Sequence, residues 1–114
     1  MNLTKAYLAS VCYITDKIIP NFESATDRWL AYGALAAYKG KVDKVFNDYT
    51  KLLTDMGIVE NNEINVANLK TIGSFAFDKE PKVSMEIPVL NKKISFTKQD
   101  FETFISYLEQ AEKS

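Results

Sequence analysis

Few side chains in this 114-residue chain are of a kind that does chemistry. There is no histidine, which removes the commonest general base, the Ser-His and Cys-His nucleophile systems and nearly all zinc catalysis. Cys12 is the only cysteine. With no histidine to activate it, it is expected to be a small buried hydrophobe rather than a nucleophile. Ser95-Phe96-Thr97-Lys98 fits the short pattern S-x-x-K. In the penicillin-recognising enzymes that serine opens a helix and has companion motifs that are absent here, whereas Ser95 is expected on the polar side of a strand.

The carboxylates do no better as a site. Glu60-Asn61-Asn62-Glu63, between two helical patterns, has the outline of a calcium loop with Ile64 at its eighth position. That alignment puts Gly57, Val59 and Asn68 where oxygen donors and a bidentate glutamate are required, so the stretch reads as a solvated turn. Asp78, Glu80 and Glu86 lie close in sequence and read as solvated surface. The glycines at 33, 40, 57 and 73 are isolated, which leaves no phosphate-cradling loop. The expectation is a chain that is not an enzyme and holds neither cofactor nor metal.

Composition narrows the partners. Hydrophobic residues make up 46% and charged residues 25%, ordinary proportions for a globular chain, and the net charge of −1 attracts no polyanion. Arg28 is the only arginine, while nucleic-acid readers lean on arginine. Lys39, Lys41, Lys44 and Lys51 alternate with Asp43 and Asp48 as a mixed-charge solvent face. Nucleic acid is disfavoured. No apolar run reaches the length of a membrane span, Asp16 and Lys17 interrupt the N-terminal stretch that resembles a signal sequence, and a lone cysteine fits a reducing compartment. The expected location is the cytoplasm.

What remains is a surface. Trp29 to Tyr38 (WLAYGALAAY) carries no charge, and a helix that is apolar on every side must be enclosed by its own chain or by another. Trp29 and Tyr32, beside Arg28, are residue types that anchor interfaces. Gly33, Ala36, Ala37 and Gly40 are small enough to admit a second helix. Arg28, Trp29, Tyr32, Gly33, Ala36, Ala37 and Gly40 are therefore the candidate interface residues, for self-association or a protein partner. The plainer reading makes Trp29 and Tyr32 core residues under the C-terminal helix. A second functional reading is a small-molecule binder or weak enzyme, with a tyrosine-lined pocket between the strand hairpin and the long helix.

Those residues sit in a definable order of elements. Leu3, Tyr7, Val11, Ile14 and Ile18 mark one face of a first helix, widened by Leu8 and Cys12, capped by Asn2 and ended by Pro20. Ser24 with Asp27 opens a second helix, whose seam of Leu35, Tyr38, Val42, Val45, Tyr49, Leu52 and Met56 keeps phase to Gly57. Unbroken, it would run roughly 50 Å in a chain whose compact diameter is on the order of 35 Å, so it either bends at Gly40 or projects at one end. Gly57 and Ile58 form a helix ending, and Asn65 caps a third helix with Val66, Leu69, Ile72, Gly73, Ala76 and Phe77 on one face. A strand over Ile72 to Phe77 is the alternative.

Val83, Met85, Ile87 and Val89 alternate as a strand, with Ile94 and Phe96 on a second. Pro88 cannot donate to a ladder, which favours a four-residue loop from Leu90 to Lys93, with Val89 facing Ile94 and Ile87 facing Phe96. Thr97 with Asp100 starts a last helix along Phe101, Phe104, Ile105, Leu108 and Ala111. The expected fold is α+β in a single domain over residues 1–114. It comprises a helical hairpin with a long second helix, a third helix, a two-stranded antiparallel hairpin packed on helices, and a C-terminal helix.

From Gly57 to Leu108 the chain reads G-I-V-E, I-N-V and P-K-V-S-M-E-I-P, then K-I-S-F-T and D-F. This layout resembles small uncharacterised proteins of phages and prophages of low-GC bacteria. The resemblance covers about half the chain and brings no catalytic or binding residues. It implies an accessory role of a phage or mobile element, exercised through contact with a host or virion protein.

Overall fold

A computed structural model describes residues 1–38, 51, 54–61, 63–87 and 92–113. The fold is α+β. Helix α1 spans Leu3–Tyr13, helix α2 Ala25–Tyr38, strands β1 and β2 Val59–Glu60 and Glu63–Ile64, helix α3 Val66–Lys79, strands β3 and β4 Lys82–Ile87 and Lys92–Thr97, and helix α4 Lys98–Lys113. The predicted bend at Gly40 and the seam residues Val42, Val45, Tyr49 and Leu52 lie outside the described residues. Lys51, Thr54 and Asp55 are helical, and Met56, expected to close the buried seam, is exposed in the turn before Gly57.

The caps form as their side chains dictate. The Asn2 Oδ1 accepts from the amides of Thr4 (2.7 Å) and Lys5 (3.4 Å), and the Asn65 Oδ1 accepts from Asn68 N at 3.0 Å. At α4 the box is reciprocal: Asp100 N donates to Thr97 Oγ1 (3.2 Å), and Thr97 N donates to Asp100 Oδ2 (2.9 Å). Each bond satisfies an amide that the helix itself leaves open. Gly57 takes φ +75°, the left-handed turn that only glycine enters without cost, and Ile58 folds back into full burial.

Two apolar clusters hold the elements, and α1 belongs to both. Ala6 and Ala9 meet Ile105 and Leu108 of α4, with Ile58, Val59 and Ile64 completing that cluster. Tyr7 and Val11 meet Ile19 together with Ala31 and Leu35 of α2. The expectation for α1 is corrected here: Leu8 and Cys12 are exposed, and the second buried face is Ala6, Ala9 and Tyr13. Alanines signal burial weakly in a sequence, yet their small side chains admit the close approach of α4. Tyr13 also stacks edge-on to Phe104 (5.4 Å) and Tyr107 (5.5 Å).

Pro20 does not end the helical path where expected. After Tyr13 the chain widens into a π turn over Ile14–Ile18 and tightens into a 3-10 turn over Ile19–Asn21. Pro20 sits in the first turn of that last segment, where its missing N–H costs nothing, and Ile18 and Ile19 are both buried.

The helical reading of residues 66–79 stands against the strand alternative. Its inward side is narrower than expected, however. Val66 and Leu69 pack on the first cluster and Gly73 lies under the Phe101 ring. Phe77 meets Phe101 at 5.4 Å, whereas Ile72 and Ala76 are exposed.

In the β3–β4 hairpin, Val83 faces Phe96, Ser84 faces Ser95, Met85 faces Ile94 and Ile87 faces Lys92. The expected register placed Ile87 against Phe96 and Lys92 in the loop; the observed one is displaced by four residues. An even displacement keeps every apolar residue on its side of the ribbon, which is why alternation alone did not separate the two. Among the described residues Ile87 with Lys92 is the last pair before the turn, and the expected partner position of Val89 lies outside them.

The Val59–Ile64 turn proved more structured than expected. Val59 pairs with Ile64 and Glu60 with Glu63, with Asn61 at φ +54°. Residues 1 and 2 extend this ribbon. Ile64 N donates to Met1 O (2.8 Å), Met1 N donates to Ile64 O (3.3 Å), and Asn2 bridges Glu63.

Candidate functional site

The groups considered for chemistry are dispersed. Ser95 Oγ lies 3.4 Å from Ser84 Oγ across the hairpin. The Lys98 ammonium donates to Asp78 Oδ1 at 2.8 Å, and that bond raises the lysine's pKa. The S-x-x-K pair is thus engaged elsewhere. Glu60 and Glu63 are exposed on the small ribbon. Among the described residues no group of three or more acidic or cysteine side chains is placed to hold a metal ion.

Cys12 is a free surface thiol. Nearby, the Tyr107 hydroxyl donates to Asp16 Oδ2 (3.0 Å) and the Tyr13 hydroxyl to the Asp100 carbonyl (3.3 Å). Burial pushes the Tyr13 phenol up, with Asp100 adding to it. Desolvation raises Tyr107 as well, reinforced by its bond to Asp16. These contacts tie the π turn to α4. Nothing in the sequence pattern pointed to them, because the partner of a tyrosine hydroxyl, a backbone carbonyl for Tyr13 and a carboxylate for Tyr107, has no periodicity.

Two hollows open on the α3–α4 side. The larger, about 600 Å³, is bounded by Glu60, Glu63, Lys70, Glu109 and Glu112 among others. The smaller, about 280 Å³, lies over Phe101, Ile105 and Ser106. Neither is lined by a tyrosine or by a residue of β3 or β4, so neither is the pocket that a small-molecule reading expects.

The outward side of α2 is different in kind. Ala31 and Leu35 are buried against α1, so the segment expected to be enclosed on all sides is enclosed by its own chain on one. On the other, Trp29 is 81% exposed, Leu30 68% and Tyr32 43%, and Gly33, Ala36 and Ala37 are exposed with them. Trp29 is therefore not a core residue under the C-terminal helix. A helical turn of 3.6 residues places 29, 33, 36 and 37 on one stripe, with 30 and 32 on its flanks.

Six of the seven candidate interface residues lie within the described residues, and five of those share this outer face. The exception is Arg28. It is half-buried, and its Nη1 donates to the carbonyls of Phe22 and, at 3.2 Å, Glu23. It braces the turn that leads into α2. Gly40 lies outside the described residues. Leu30 was not among the candidates, although its position one residue after Trp29 puts it on the edge of the same stripe.

A lone exposed leucine, such as Leu8, is ordinary. An indole, a leucine and a tyrosine exposed within four residues of one helix, with no charge among them, are more apolar surface than scattered single residues account for. Among the described residues no helix is long and apolar enough to cross a membrane. No family model, curated protein or solved structure matches the chain.

Proposed function

We propose that this chain is a small, non-catalytic protein-interaction domain whose docking surface is the outer face of α2. The observation that carries this reading is the 81% exposure of Trp29 beside exposed Leu30 and Tyr32. Burying a large aromatic side chain contributes roughly 1.5–3 kcal/mol, and this surface leaves that contribution unused within its own chain. An aromatic anchor flanked by small residues is what a packed interface core requires. In the same reading the chain is an accessory factor of a phage or mobile element acting in the cytoplasm.

A photo-reactive benzophenone side chain tests it. Placed at position 29 in the full chain and irradiated in the native host, it is expected to form a discrete adduct that disappears when Ala37→Glu is added. Adducts at a control position on exposed Phe75, with none at position 29, would overturn the assignment of the surface.

A further inference from the structure

We infer that the occupant of the α2 surface is a second copy of this chain, docked antiparallel about a twofold axis at Gly33. The inference rests on the reading of that face as a docking surface. Its own support is the order of residues along the stripe. Counting outward from Gly33, positions three and four residues away are Leu30 and Trp29 on one side and Ala36 and Ala37 on the other. All four are exposed. Large side chains thus occupy one half of the stripe and methyl groups the other.

A twofold axis through Gly33 sets Trp29 of each copy over Ala37 of its mate and Leu30 over Ala36. The self-complementary patch that an isologous dimer needs is therefore present. A parallel pair would instead set tryptophan against tryptophan and leave the alanines facing a gap. Two identical surfaces also bring identical charges together, and this stripe carries none.

Gly33 supplies an independent observation. Glycine is among the poorest helix formers, yet this one sits in the middle of α2 with no neighbour among the described residues that requires it. A Cβ built there meets nothing within 4 Å. Its absence is of use only where another backbone comes close, as it does at the axis of the proposed pair.

The contact is small. Each tryptophan brings roughly 150–250 Å² of surface, against the roughly 800 Å² per partner of a standard interface, so the pair is expected to form in the micromolar range or above.

Disulfide trapping tests the register. With Cys12→Ser as background, Leu30→Cys is expected to cross-link to Ala36→Cys when the two are mixed under mild oxidation. Trp29→Cys should cross-link to Ala37→Cys when the two are mixed, and Ser106→Cys, on α4, should stay monomeric. Sedimentation of the unmodified chain should show a concentration-dependent mass that Ala37→Glu weakens by about tenfold or more. Leu30→Cys mixed with Ala36→Cys cross-linking no faster than Ser106→Cys, or a constant monomer mass up to roughly 500 µM, would overturn the inference. In that case an Ala37→Glu-sensitive adduct at position 29 to a different protein would leave the docking-surface reading standing by itself.

Discussion

Gly33 and Gly73 both lie within helices, and replacing each by alanine is expected to shift stability in opposite directions. In either helix the substitution recovers about 1 kcal/mol of backbone propensity. At Gly33 the new methyl meets nothing, so the full gain should appear, roughly 3–5 °C in Tm for a chain of this size. At Gly73 the new Cβ would fall within the contact radius of the Phe101 ring, on three of its atoms. Phe101 is itself held against Phe77, so the ring can yield only by moving α3 or abandoning that contact. Overpacking of this kind costs roughly 1–3 kcal/mol. Set against the propensity gain, Gly73→Ala should be destabilising by about 1 kcal/mol, with an upper bound near 2. Urea unfolding followed by circular dichroism, at sub-micromolar concentration where association is negligible, reads both. A destabilised Gly33→Ala would mean that something in this chain packs on that glycine. A stabilised Gly73→Ala would mean that the α3–α4 contact is looser than the aromatic pair implies.

Three further expectations follow from the described contacts. Thr97→Ala removes one arm of the reciprocal cap of α4 and should cost about 1 kcal/mol, read as a lower urea midpoint; an unchanged midpoint would show the box to be idle. Tyr13 and Tyr107 both have phenols raised above the ordinary value of 10.0. The folded chain therefore binds more protons than the unfolded one above that pH, so this stability is complete below about pH 10 and is lost as pH rises through the folded pKa values. Urea midpoints from pH 8 to 11 should fall at the alkaline end, with a shallower fall in Tyr13→Phe, and a Tyr13→Phe profile identical in slope would contradict the burial assigned to that ring. Exposed Cys12 should react with a maleimide in the native state about as fast as in urea; protection of tenfold or more would return it to the core.

Local chemistry carried most of the secondary structure. Asn2, Asn65, Thr97 with Asp100, and Gly57 with Ile58 each announce an element boundary through a side chain or a backbone conformation that few residues supply, and each is found there. What the pattern left open was whatever depends on a second element. Ala6 and Ala9 are core because α4 approaches them, and no hydropathy count marks an alanine as buried. Leu8 and Cys12 look apolar and yet face outward. The β3–β4 register could slide by four without exposing an apolar residue, and only the pairing itself decides it. For the surface of α2, the absence of charge from Trp29 to Tyr38 was visible at once, and so were the residue types. The direction of Arg28 was not, because an arginine beside an aromatic pair can anchor a partner or brace its own turn, and here the carbonyls of Phe22 and Glu23 are within its reach.

Trp29 is the only tryptophan, so its emission reports the state of the α2 surface without labelling. The account predicts that at sub-micromolar concentration the indole emits as a solvent-exposed group and is freely quenched by iodide. As concentration rises through the micromolar range, the emission should move to shorter wavelength and quenching should fall, and neither change should occur in Ala37→Glu. Emission that remains that of an exposed indole at every concentration, with and without the protein that cross-links at position 29, would contradict the claim that this face is built to be covered.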